Sequence, residues 1–216
     1  MPAAELINEF IDDLAHTTVA ADATNQYAFD GPAGNAVRRA NLQRALELAL
    51  AAPPLLLIVG EAPGYNGARR TGVPFTSERL LIEGIDPPGL FGAQRGFALA
   101  GDDERISAEQ TATLVYRELR ALNVTAVGWN AFPFHPHRPG QPQSNRPPRA
   151  AELAQGRPFL QRMLAFFPQT QVVAMGNYAA RALDRLEVPH TRVRHPAQGG
   201  ARRFAEGMRN LVAQLS

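Results

Sequence analysis

Apolar residues recur with two periods along this chain, and the alternation between them predicts its elements. Leu6, Phe10, Ile11 and Leu14 fall at helical spacing near the start. The same spacing returns over residues 36–51, where Leu42, Ala45, Leu46 and Ala49 share a face. A polar, Gly-containing link over residues 22–34 joins the two. Short apolar runs follow: LLLIVG at 55–60, VTAVGW at 124–129, QVVAMG at 171–176 and a shorter TRVR at 191–194. These read as buried strands. Helical stretches lie between them. Ser107 and Gln110 have the spacing of a capping box before a helix over 111–122. Pro158 suits the first turn of a helix over 159–167. A further helix is expected over 177–186. Phe204, Met208, Leu211, Val212 and Leu215 form the apolar stripe of a last one.

Strands alternating with helices predict an α/β fold: a three-layer α/β/α arrangement around a central four-stranded, mostly parallel sheet. The chain is expected to be a single domain over 1–216. Within it, an N-terminal helical extension (1–52) packs on a core (53–216). In such sheets a ligand site lies beyond the carboxyl ends of the strands. The stretch 132–149 (FPFHPHRPGQPQSNRPPR) is too rich in proline for a helix or a central strand. A loop this long in a compact domain is usually functional or disordered.

Composition narrows the classes. At 216 residues and 45% hydrophobic, the chain can bury one sizeable core. Its opening carries acids where a secretory leader carries bases, and no apolar run reaches membrane-spanning length. A soluble, cytoplasmic protein is expected, nucleoid-associated if it works on DNA. No cysteine is present, which excludes disulfides, thiolate zinc sites and cysteine-held clusters. The net charge is only +2, but every basic residue is Arg and none is Lys. Arg presents a planar fork of donors suited to phosphate, although a genome-wide exchange of Lys for Arg accounts equally well for most of them.

Chemistry-bearing residues cluster at the strand ends. After the first strand comes Gly60-Glu61-Ala62-Pro63-Gly64-Tyr65, then Gly72-Val73-Pro74-Phe75. After the second comes Asn130, and after the fourth His195-Pro196-Ala197-Gln198-Gly199-Gly200. Each motif alone is weak; four in order at strand ends are not. This ordered set, from about residue 55 to 216, resembles the uracil-DNA glycosylase superfamily. GEAPG is similar to the first motif of its iron–sulfur branch, and GVPF to a stretch of its single-strand-selective branch. The chain lacks that iron–sulfur branch's four cysteines. The resemblance therefore implies a cysteine-free branch with no cofactor.

The resemblance implies DNA repair: a base flipped out of single- or double-stranded DNA, its glycosidic bond hydrolysed by a monomeric enzyme. Glu61 and His195 would be catalytic. Glu61 would orient or deprotonate water beside the cationic sugar, and His195 would donate to the O2 of the departing base. Asn130 would read the base with its amide, accepting from N3–H and donating to O4. Phe75 would stack on the base, with Gly60, Ala62, Gly64 and Tyr65 completing the pocket. Gly64 stands where the classical uracil enzymes carry a Tyr that blocks the thymine methyl, which leaves room for larger deaminated bases. Arg69, Arg138, Gln198, Gly199, Arg202 and Arg203, with Arg70, are the expected DNA contacts. Plainer readings stand beside these: a solvated Glu, a turn Asn, a core Phe, scattered surface arginines. His135 and His137 form an H-x-H, but without thiols and with Pro136 between them no metal site is expected. A silent relative that binds uracil-containing or abasic DNA is the alternative. An unrelated α/β hydrolase or nucleotide binder would need a phosphate loop or GxSxG elbow that the sequence lacks.

Overall fold

The computed structural model describes residues 2–86, 89–101 and 105–215, so the terminal Met1 and Ser216 of the expected domain lie outside the described residues. The elements run α1 (Ala3–His16), β1 (Ala23–Thr24), α2 (Gly34–Ala51), β2 (Leu56–Gly60), α3 (Ala68–Thr71), α4 (Glu78–Glu83), α5 (Gln110–Ala121), β3 (Ala126–Asn130), β4 (His135–Pro136), α6 (Ala150–Phe166), β5 (Gln171–Met175), α7 (Asn177–Asp184), β6 (Thr191–Val193) and α8 (Ala201–Leu215), with a short 3₁₀ turn at Ala93–Arg95. The four-stranded sheet has the order β3-β2-β5-β6, and every pairing in it is parallel. All four strands therefore end at one edge.

Alternate residues of the two central strands, β2 and β5, feed two cores, as a sheet covered on both faces requires, while β3 adds to the first and β6 to the second. Leu57, Val59, Val127, Trp129, Val172 and Ala174 pack with Phe10, Leu14, Leu42, Phe159 and Leu183. Leu56, Ile58, Val173, Met175 and Val193 pack with Val115, Leu119, Phe204, Met208 and Leu211. The first core draws on α1, α2, α6 and α7, the second on α5 and α8. Helices thus lie on both faces, and the expected three-layer α/β/α architecture is present. Among the described residues no helix is long and apolar enough to cross a membrane.

Three local expectations are corrected. The helix expected to begin at Pro158 begins at Ala150 and runs through it. Pro158 and Ala154, whose carbonyl loses its helical donor, are both exposed, so water can serve that carbonyl. The capping box at Ser107 is replaced by Glu109, whose two carboxylate oxygens accept from the N–H groups of Thr111 (3.0 Å) and Ala112 (2.7 Å). A carboxylate there also meets the positive end of the helix dipole. Ser107 instead accepts from the Glu78 N–H. Finally, the polar link and the Pro-rich stretch pair with each other through β1 and β4.

Candidate active site

Because the strands are parallel, the loops after β2, β3, β5 and β6 meet at one rim. There they enclose a cavity of about 610 Å³ whose walls include Glu61, Phe75, Asn130 and His195. Three separate loops thus bring these four side chains to one space.

Phe75 forms part of its floor. Its ring lies over β2 and β3 where both strands carry glycine. A Cβ on Gly60 would come within 2.7 Å of the ring, and one on Gly128 within 2.5 Å. Neither position could hold a side chain without moving the ring. Phe75 also has φ +56°, a left-handed conformation that bulky residues avoid at a cost of about 1–3 kcal/mol. The protein keeps an awkward backbone in order to lay this ring across the strand ends.

Asn130 is the last residue of β3 and is 4% exposed. Its Oδ1 lies beside Gly60, 2.9 Å from where a Cβ would be. Its side-chain amide makes no hydrogen bond among the described residues and opens to the cavity, where water or a ligand can meet it. Glu61 is half-withdrawn from water, and burial pushes its carboxyl up to about 7. His195 is moved the other way: burial holds its imidazolium below the ordinary range and Arg194 adds to this, while the charge of Glu109 opposes it. The backbone N–H of Ala197 donates to His195 Nδ1 at 3.2 Å. A neutral ring with Nδ1 accepting carries its proton on Nε2, which is then free to donate.

Ala62, Gly64 and Gln198 also line the cavity. Gln198 has φ +53° and is exposed, as is Gly199 beside it. Arg202 and Arg203 stand exposed at the start of α8, with Arg202 near Glu206. Tyr65 is not among the cavity's lining residues: the Arg69 guanidinium sits 5.0 Å over its ring, and the buried His135 ring lies tilted beside it with centroids 6.1 Å apart. Arg138 lies on the exposed tip of the Pro-rich loop. Arg70 is buried and paired with Glu78 at 2.8 Å, so it serves the scaffold and not a phosphate. His135 is fully buried between the carbonyls of Pro63 (2.8 Å) and Pro142 (3.2 Å). Among the described residues no group of three or more His, Asp or Glu is placed to hold a metal ion.

Several cavity residues were not singled out from the sequence: Glu109, Asn145, Arg146, Asn177 and Arg194. Arg194 adjoins His195 at a strand end, and Asn177 opens the helix after β5, so both carried a readable signal. Asn145 and Arg146 did not, because they reach the cavity only through the path of the Pro-rich loop. That loop is held by a charged cluster. Arg146 donates to both carboxylate oxygens of Glu152 (2.6 and 2.7 Å) and to the carbonyls of His137 and Asp22, while Arg149 pairs with the Asp22 carboxylate.

The arrangement offers a flat aromatic face, an amide with free donors and acceptor, a carboxyl poised between its two forms, and a neutral imidazole donor. These suit a planar heterocycle that is gripped by its edge and made to leave as an anion. Residues 49–213 match the family model described as Uracil DNA glycosylase superfamily. No curated protein matches the chain.

Proposed function

The chain belongs to the uracil DNA glycosylase superfamily, and from that premise we propose that it hydrolyses the N-glycosidic bond of uracil, or of a related deaminated base, flipped out of DNA. The observation that carries this reading is Asn130, an almost fully buried amide with no protein partner on the rim of the cavity. Its Oδ1 accepts the N3–H of uracil and its Nδ2 donates to O4, whereas cytosine presents the reverse pattern. Phe75 stacks on the extruded ring.

As C1′–N lengthens, negative charge gathers on the base and positive charge on the sugar. The Nε2–H of neutral His195 donates to the base O2. Glu61, once ionised, takes a proton from the attacking water and faces the cationic sugar. Gln198 and Gly199 fill the gap left by the flipped nucleotide, while Arg69, Arg138, Arg202 and Arg203 meet phosphates around the rim. The chain has no Lys, so no lysine Schiff base forms on the abasic site, and any β-elimination would have to use the N-terminal amine. The reaction needs no metal and no cofactor.

The test is to incubate the protein with a uracil-containing oligonucleotide in EDTA. An alkali-labile strand is expected. Binding without release of any base would move the assignment to a silent DNA-binding relative.

A further inference from the structure

Reading a base by Asn130 leaves one discrimination unmade. Uracil presents N3–H beside O4, and hypoxanthine presents N1–H beside O6. To one side-chain amide these edges are equivalent. Selection must then come from whatever faces the next position around the ring, which is C5 of a pyrimidine or N7 of a purine.

Gly64 and Asn145 line the same cavity as Asn130. A Cβ on Gly64 would meet nothing nearer than Asn145 Oδ1, at 4.0 Å. The space beside Gly64 is open, and the exposed side chain of Asn145 bounds it with its Oδ1 foremost. The orientation of that amide is set, because Asn145 Oδ1 accepts the backbone N–H of Tyr65 at 2.9 Å. Its Nδ2 keeps two donors that make no hydrogen bond among the described residues. The next residue, Arg146, is tied to Glu152, Asp22 and His137, so the donors stand on a braced loop.

We propose that Asn145 is a specificity-determining residue: across the gap at Gly64 its Nδ2 donors receive a hydrogen-bond acceptor carried by bases larger than uracil. Two sources share that chemistry. One is a deaminated purine, which offers N7 beside O6; the other is a uracil bearing an oxygen on its 5-substituent. The proposal rests on the glycosylase reading above.

The test compares single-turnover release of hypoxanthine, 5-hydroxymethyluracil and uracil from otherwise identical oligonucleotides. Asn145→Ala should lower the ratio of larger-base to uracil release about five- to tenfold, the worth of one lost hydrogen bond. A fall for hypoxanthine alone identifies the purine as the source; a fall for 5-hydroxymethyluracil alone identifies the pyrimidine. Asn145→Asp separates recognition from loop support, since it keeps the acceptor for Tyr65 N–H and removes the donors. It should lower the ratio at least as far, and a ratio restored by Asp would overturn the proposal. Gly64→Ala, which fits without backbone strain, should also lower the ratio by filling the gap. If the wild-type protein releases uracil but neither larger base, this inference falls and the glycosylase reading stands. Release of no base at all removes both.

Discussion

Glu152 and Glu61 are both carboxylates withdrawn from water, and the protein treats them in opposite ways. Glu152 receives two donors from Arg146 and the backbone N–H of Arg149 at 2.7 Å. Burial pushes its carboxyl up, but these donors outweigh it and hold the group below the ordinary carboxylate range. Asp22 in the same cluster is also held down, first by its hydrogen bond from Arg149. Glu61 has no comparable donor among the described residues, and burial alone acts on it. His195 likewise loses charge to burial, and Asn130 goes unpartnered. A buried polar group with its partners stiffens a structure; one without them costs free energy and marks where a ligand is met. The paired cluster braces a wall, and the unpaired cluster faces the cavity.

The sharpest way to break that contrast is to remove the ionisable group of Glu61 while keeping its shape. Glu61→Gln should slow base release by about 10²–10⁴-fold, the usual worth of a placed general base, while oligonucleotide affinity stays near wild type. An unchanged single-turnover rate would take Glu61 out of the mechanism. The paired cluster should respond in stability instead. Glu152→Ala leaves Arg146 with only the Asp22 carboxylate, at 3.3 Å, and breaking such a largely buried pair costs at most about 3 kcal/mol. Urea unfolding reads this directly. A midpoint equal to wild type would mean that Asp22 alone braces the loop.

The sequence revealed the functional cluster better than the structural one, for a physical reason. Glu61, Asn130 and His195 each follow an apolar run, and parallel strands bring such positions to one edge whatever the details of packing. Phe75 was readable as a candidate, but its seat was not: that needed Gly60 and Gly128, two register positions apart on paired strands, both to lie under the ring. The Asp22–Arg146–Glu152 cluster joins residues more than a hundred positions apart through a Pro-rich stretch with no period to read. The place of Asn145 and the packing of Tyr65 against His135 depend on the path of that stretch. The helix through Pro158 was missed because its lost hydrogen bond faces water, which no local pattern announces.

The smallest predicted effect isolates the cost of leaving Glu61 unpaired. Its carboxyl titrates near 7 in the folded protein against an ordinary value of 4.5. Between those values the unfolded chain gives up its proton first, so the folded state binds more protons and stability falls as pH rises through the window. Glutamine does not titrate. The thermal midpoint of Glu61→Gln should therefore match wild type near pH 4, pull ahead between 4.5 and 7, and keep a constant lead above that. Contributions from His195, Asp22 and Glu152 are common to both proteins and cancel in the difference. A lead that is flat with pH, or that grows towards acid, would show that Glu61 has a partner in the folded state. Activity should run the other way, because only the ionised carboxylate can take a proton from water: base release falls as pH drops below about 7. The pH that favours this chain's chemistry is thus the pH at which this one side chain costs it most.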